Sequence, residues 1–236
     1  FVWIPTGTYQ TSTGEKTNNL SRRTFTSSGS TEITASNGDG VVGNYFYGEG
    51  DSRSIAYNQI GLFKDSVNKN GGFYIGRYEL GVENVIKAGV TPYTNITRDQ
   101  AKSQIEEIYN ENNYVVSELI SSYAWDTALN FICQTNSEGY TLATTRGANY
   151  GNMGTYLDEA LNTGGYSADN HNNIHDFFGN CLQWTTEYYS VNNRPCVGRG
   201  GYYNDGLVST SSRNTFYVED AYEYVSARAQ LYIKSQ

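Results

Sequence analysis

Asn173-Ile174-His175-Asp176-Phe177-Phe178-Gly179-Asn180-Cys181-Leu182-Gln183-Trp184-Thr185-Thr186-Glu187 is the stretch on which the reading of this chain turns. Ile174, Phe177, Phe178, Leu182 and Trp184 bring enough apolar surface to anchor a core, at about 25 cal/mol for each Å² taken out of water. Gly179 beside Asn180 allows a tight turn that an ordinary residue would resist. The block reads as framework rather than as chemistry.

Around it lies an irregular, loop-heavy chain. A length of 236 residues fits one large domain or two small ones. Neither an internal repeat nor a clean boundary shows, so residues 1–236 read as a single domain. Hydrophobic residues are 38%, below the usual globular share, while aromatics reach 14%, carried mainly by 22 Tyr. Tyrosine packs its ring and still exposes a hydroxyl, which suits a large contact surface. The formal charge of −8, with no Lys/Arg run, excludes the electrostatic footprint of a nucleic-acid binder. Long apolar runs are absent, so no membrane insertion is expected. Phe1-Val2-Trp3-Ile4-Pro5 is too short for a signal peptide and has no basic residues before it. Cys133, Cys181 and Cys196 show no CxxC or zinc-like spacing. They read as buried small thiols, with a Cys181–Cys196 disulfide as the competing reading.

In chain order, Val2–Pro5 reads as an edge strand ended by its proline. Residues 6–37 are rich in Thr, Ser, Gly and Asn and read as short hairpins and loops. Asn37-Gly38-Asp39-Gly40 signals a turn, Val41–Tyr47 a strand, and Gly48-Glu49-Gly50-Asp51 another turn. Gly71–Leu80 is the clearest strand of the first half. Thr97-Arg98-Asp99-Gln100 has the form of a capping box, and Ala101, Ile105 and Ile108 follow at helical spacing, predicting a helix over Thr97–Tyr109. Ser117 is expected to cap a second helix running to about Cys133, with Ile120, Ala124, Ala128 and Phe131 on one apolar stripe and Trp125, Leu129 and Ile132 beside it. Gly139–Gly165 reads as irregular. Helices followed by a long strand-and-loop half argue for an α+β fold.

The block from Asn173 to Glu187 is similar to the Asn-Val-(aromatic)-Asp-x-x-Gly-Asn-Val-x-Glu-Trp-Thr signature of formylglycine-generating-enzyme-like (sulfatase-modifying factor) domains. Arg199-Gly200-Gly201-Tyr202-Tyr203-Asn204-Asp205 resembles that family's Arg-Gly-Gly-Ser-Trp segment. Ser226-Ala227-Arg228 stands where such domains end in a Gly-Phe-Arg strand. The resemblance spans residues 1–5 and 71–236. It implies a variant C-type lectin fold, with two helices, short antiparallel sheets and many loops, and residues of about 6–60 as a hairpin-rich insertion. Formylglycine-generating enzymes bind copper with two cysteines in the segment after Arg-Gly-Gly. Here Tyr203–Arg213 contains no cysteine, and Cys196 lies before the turn without a partner, so a thiolate pair for a soft metal is lacking. The sulfur-oxidising relatives use three histidines on iron, and this chain has two. Those two, His171 and His175, are four apart, but their Asn-rich surroundings disfavour a helix, and they read as packed or surface residues. The chain is therefore expected not to be an enzyme, with a metal- and oxygen-dependent enzyme of this family as the alternative.

The end of the chain also resembles the variable proteins of diversity-generating retroelements, found in bacteriophage tail adhesins and bacterial surface proteins. Those proteins change adenine-rich codons near the C-terminus. Tyr202, Asn204, Asp205, Leu207, Asn214, Thr215, Phe216, Tyr217, Tyr222 and Tyr224 are compatible with that rule, within a variable-type region of about 196–233. Glu219 and Glu223 are not. Independently, Tyr with Ser, Asn and Gly is the composition of an antibody-like contact surface. Tyr203, Arg213 and Val225 read as frame. The resemblance implies ligand binding to a host cell-surface protein or glycan, from a virion tail or a bacterial cell surface. It implies no cofactor beyond a structural calcium held by backbone carbonyls and acids, which the sequence does not place. It also makes a homotrimer the assembly to test, because multivalency turns weak single contacts into avidity.

Overall fold

The structure is a computed structural model that describes residues 1–33, 52–146, 151–153, 159–188 and 194–234. The turn expected at Asn37–Gly40, the strand at Val41–Tyr47 and the turn at Gly48–Asp51 lie outside the described residues.

Strand β1 (Val2–Pro5) lies at a sheet edge, where the missing proline N–H costs no ladder bond. Two hairpins follow as expected, β2 (Gly7–Thr11) with β3 (Gly14–Asn18) and β4 (Arg23–Thr26) with β5 (Gly29–Glu32). Helix α1 (Ser52–Asn70) corrects the two-helix expectation. Its Phe63 and Val67, one turn apart, are fully buried, and the insertion expected over about 6–60 ends inside it. Strand β6 (Gly72–Ile75) is shorter than the expected Gly71–Leu80. Beyond Ile75 the backbone carbonyls go elsewhere: Gly76 O accepts from Arg228 Nη1 (2.6 Å) and Arg77 O from the His175 N–H (2.8 Å).

Helix α2 (Arg98–Glu107) begins on the expected capping box. Gln100 N–H donates to Thr97 Oγ1 (3.2 Å), and Thr97 N–H donates back to Gln100 Oε1 (2.9 Å). Ser117 caps no helix. It lies inside strand β7 (Val115–Leu119), pointing inward to donate its hydroxyl to Ile105 O at 2.7 Å. The β-branched pair Val115-Val116 favours a strand there. Ser121 takes the capping role for α3 (Ser122–Thr135), accepting from Ala124 N–H. Ile120 therefore precedes the helix, and Ala124, Trp125, Ala128, Leu129 and Ile132 form its buried face. Helix α4 (Gly139–Thr144) adds one short turn to a region expected to be irregular.

The second half is built of strands: β8 (Asn170–His171), β9 (Ile174–His175), β10 (Leu182–Tyr188), β11 (Cys196–Arg199), β12 (Arg213–Phe216), β13 (Val225–Ala227) and β14 (Ala229–Ile233). They make two four-stranded sheets, β1-β6-β14-β7 and β12-β11-β10-β13. The first is antiparallel throughout, while β13 runs parallel to β10. The architecture is α+β. No helix among the described residues is long and apolar enough to cross a membrane.

The Asn173–Glu187 block sits where the two halves of the core meet. Phe177 stacks on Trp125 of α3 (centroids 4.1 Å apart), while Trp184 packs with Leu80, Ile96 and Ile105 and donates its Nε1–H to Ile96 O at 2.9 Å. Gly179 has φ +131, and a Cβ there would stand 2.6 Å from Asn152 O. Only glycine fits this turn.

Candidate functional site

Two buried charge networks hold the C-terminal strands. Asp126, on α3, accepts from Arg199 Nη2 (2.6 Å), from Arg213 Nη2 and from the Arg23 N–H (2.7 Å). Glu187 accepts from Arg213 Nε at 2.9 Å and lies 3.8 Å from Arg199 Nη1. Two guanidiniums thus meet two carboxylates, and the sheet β12-β11-β10 is pinned to α3 at near-zero net charge. Arg199 and Arg213 are both frame, as expected of Arg213.

Arg228, between β13 and β14, centres the second network. It donates to Gln183 Oε1 (2.8 Å) and to the carbonyls of Gly76, His175 and Asp176. Glu79 accepts from Asn180 Nδ2, Cys181 N–H and Gln183 Nε2. Burial, then the neighbouring Asp176 charge, raises the Glu79 pKa, and Asp169 is raised the same way. The guanidinium already supplies the positive charge at the centre of these acids. No group of three or more His, Cys, Asp or Glu among the described residues is placed to hold a metal ion.

On this frame lies an open cleft of about 390 Å³. Six of the ten expected site residues line it: Tyr202, Asp205, Asn214, Thr215, Phe216 and Tyr224, with Leu182, Arg194, Val208 and Arg213. One wall carries Tyr202 and Tyr224, and Tyr222 extends their stack beyond the cleft. Tyr202 and Tyr224 stack at 4.3 Å with planes 20° apart, and Tyr224 and Tyr222 at 5.0 Å with planes 10° apart. Asp220 ties down the adjoining loop, accepting from the Tyr217 N–H (2.8 Å) and the Tyr222 hydroxyl (3.1 Å). Burial, then the Asp205 carboxylate, pushes the Tyr202 hydroxyl up to about 12, so it stays a donor at neutral pH.

Tyr217 and Tyr222 are 37% and 36% exposed beside the cleft. Leu207 is 77% exposed on a neighbouring turn, held by its N–H to Asp205 Oδ1 at 2.7 Å, and Asn204 is exposed next to it. Phe216 lines the cleft from below. Its ring is buried edge-on against Trp184 at 5.0 Å and forms the floor. A β-strand alternates its faces, and Phe216 falls on the inward one. Tyr203 and Val225 are buried frame, as expected. Arg194 was not foreseen. Its guanidinium lies 4.7 Å over the Tyr217 ring, and nothing in the spacing of a lone arginine before Pro195 announces that contact.

The histidines lie on a hairpin, not a helix: His175 stacks on Tyr78 (4.8 Å) and His171 tilts against Phe178 (4.6 Å). All three cysteines are free and buried, so the Cys181–Cys196 disulfide does not form. Burial pushes the Cys196 thiol up to about 11.

No family model matches the chain, and no curated protein matches it either. Among solved structures it is similar to the crystal structure of CarF, with 15% identity and a TM-score of 0.44 over 83% of this chain and 97% of that one. It is also similar to variable protein 1 of Treponema denticola, with 11% identity and a TM-score of 0.42 over 64% of this chain and 77% of that one. Both likenesses are too loose to carry fold or function across.

Proposed function

We propose that this chain is a non-catalytic ligand-binding protein of the diversity-generating retroelement variable type, built on a C-type lectin fold of the formylglycine-generating-enzyme-like kind. It displays a tyrosine-rich face for attachment of a phage tail or a bacterial surface to a host cell-surface protein or glycan. The observation that carries this reading is the cleft. Six positions selected for their codon compatibility and paratope-like composition converge on one concave surface, over a floor of buried aromatics and arginine–carboxylate pairs. Stacked tyrosines lose little conformational freedom on binding and offer ring edges and hydroxyls. The chemistry that the formylglycine-generating family requires finds no support, since Cys196 is buried and its pKa is raised.

Sequencing the flanking DNA tests the retroelement assignment. A near-identical repeat beside a reverse transcriptase, with adenines at the codons for Tyr202, Asn204, Asp205, Asn214, Tyr217, Tyr222 and Tyr224, is the expected result. A repeat that differs outside those codons and the codons for Leu207, Thr215 and Phe216, or no repeat, removes diversification from the account. Stoichiometric copper or iron in the purified protein, lost on Cys196→Ser or His175→Ala, would restore the enzyme reading.

A further inference from the structure

Strand β12 stands at the edge of its sheet and pairs with β11 alone. In an antiparallel pair every second residue turns its N–H and C=O away from the partner strand. Among the described residues, Arg213, Asn214, Thr215 and Phe216 make no backbone hydrogen bond beyond that pairing. The opposite edge, β13, is covered: Leu80 N–H donates to Ala227 O at 2.8 Å, and the Ser226 hydroxyl donates to Leu80 O at 3.2 Å. The sheet is closed on one side and open on the other.

The cleft runs along the open side. Side chains of a strand alternate between its faces. Phe216 turns towards Trp184, and Asn214, two residues before it, shares that face. Arg213 turns the other way, to Asp126 and Glu187, and Thr215 shares its face. Yet all four residues line the cleft of about 390 Å³. A hollow over one face would meet one of these pairs, so this one reaches round the strand to its unpaired backbone. Four residues of strand span about 13 Å, which matches an extended segment of about the same number of residues. The edge also leads directly into Tyr217 and is continuous with the exposed tyrosines.

Building on the binding function proposed above, we infer that the cleft takes an extended segment of a partner protein, which adds to β12 as a further strand of the sheet. Main-chain hydrogen bonds to β12 hold the segment, and Tyr202, Asp205 and Tyr224 meet the side chains that turn into the cleft. A displayed library of linear random peptides, panned against the intact chain beside a glycan array, supplies the probe. The tightest peptide is then remade with an N-methyl group at each amide in turn. An added strand uses alternate N–H groups, so methylation at every second residue of the central stretch is expected to weaken binding about tenfold or more. The intervening positions are expected to tolerate it. Amide exchange followed by NMR gives a second readout. When the unmethylated peptide binds, whichever of the Asn214 and Thr215 N–H groups faces away from β11 is expected to exchange about tenfold more slowly or less.

A peptide that tolerates an N-methyl group at every position, or that leaves both amides exchanging as before, would overturn the inference. A glycan, or a peptide held through its side chains alone, whose binding depends on Tyr217 and Tyr222 would overturn it while leaving the binding face intact. No binder from either collection would overturn this inference and the binding function together.

Discussion

Asp126→Asn probes the frame beneath the cleft. Asp126 is fully buried and accepts from two guanidiniums and one backbone N–H. The substitution is nearly isosteric, yet it removes the charge and turns one acceptor into a donor that faces an arginine. Glu187 is then left alone against Arg199 and Arg213. Breaking one partner out of a buried pair costs about 3–5 kcal/mol. That is a large part of the roughly 5–15 kcal/mol that holds a domain folded. For a chain of this size each kcal/mol moves the melting temperature by roughly 2–4 °C, so a drop of about 6–20 °C is expected by calorimetry. If stranded charge is the cause, Asp126→Asn/Arg199→Gln loses less than the sum of its two single changes. A drop below about 3 °C for Asp126→Asn, or strict additivity in the double variant, would refute the frame.

Gly179→Ala forces a side chain onto a backbone at φ +131 and within 2.6 Å of Asn152 O, so urea unfolding is expected to show a loss of at least about 1–3 kcal/mol. Phe216→Ala, which opens a cavity against Trp184, is expected to cost about 3–5 kcal/mol, whereas Leu207→Ala stays within about 0.5 kcal/mol. Glu118 gives a pH signature. Burial pushes its carboxyl up to about 7, so the folded chain holds a proton that the unfolded chain releases above the ordinary carboxylate range. Stability from this group is therefore full at pH 4 and lost as pH rises towards 7, by a few kcal/mol in order of magnitude, and Glu118→Gln is expected to flatten that decline in a series of urea titrations.

The sequence was most legible where side-chain chemistry is local. The Thr97–Gln100 capping box and the turn at Gly179-Asn180 need only their own neighbours, and both stand where expected. Helix α1 is not legible in the sequence because Gly61 and several polar residues dilute its stripe, and Leu62 points outward, 55% exposed. Ser117 was misplaced because Ser121, four residues on, is an equally good cap, and only the pairing of β7 with β14 decides between them. At the cleft, composition marked the tyrosines but could not separate the faces of β12, so Phe216 was grouped with the displayed residues. Arg194 reaches the site through tertiary placement alone.

The central claim is that the exposed tyrosines bind and the residues beneath them hold the fold. Calorimetry on Tyr217→Ala/Tyr222→Ala, run both as a thermal scan and as a titration with the tightest binder recovered by panning, tests it most directly. Contact residues of this kind contribute about 2 kcal/mol or more, so affinity is expected to fall about thirtyfold. Both side chains are more than a third exposed, so the melting temperature is expected to move by no more than about 4 °C. Affinity unchanged, or a domain that unfolds on losing these two side chains, would contradict the account.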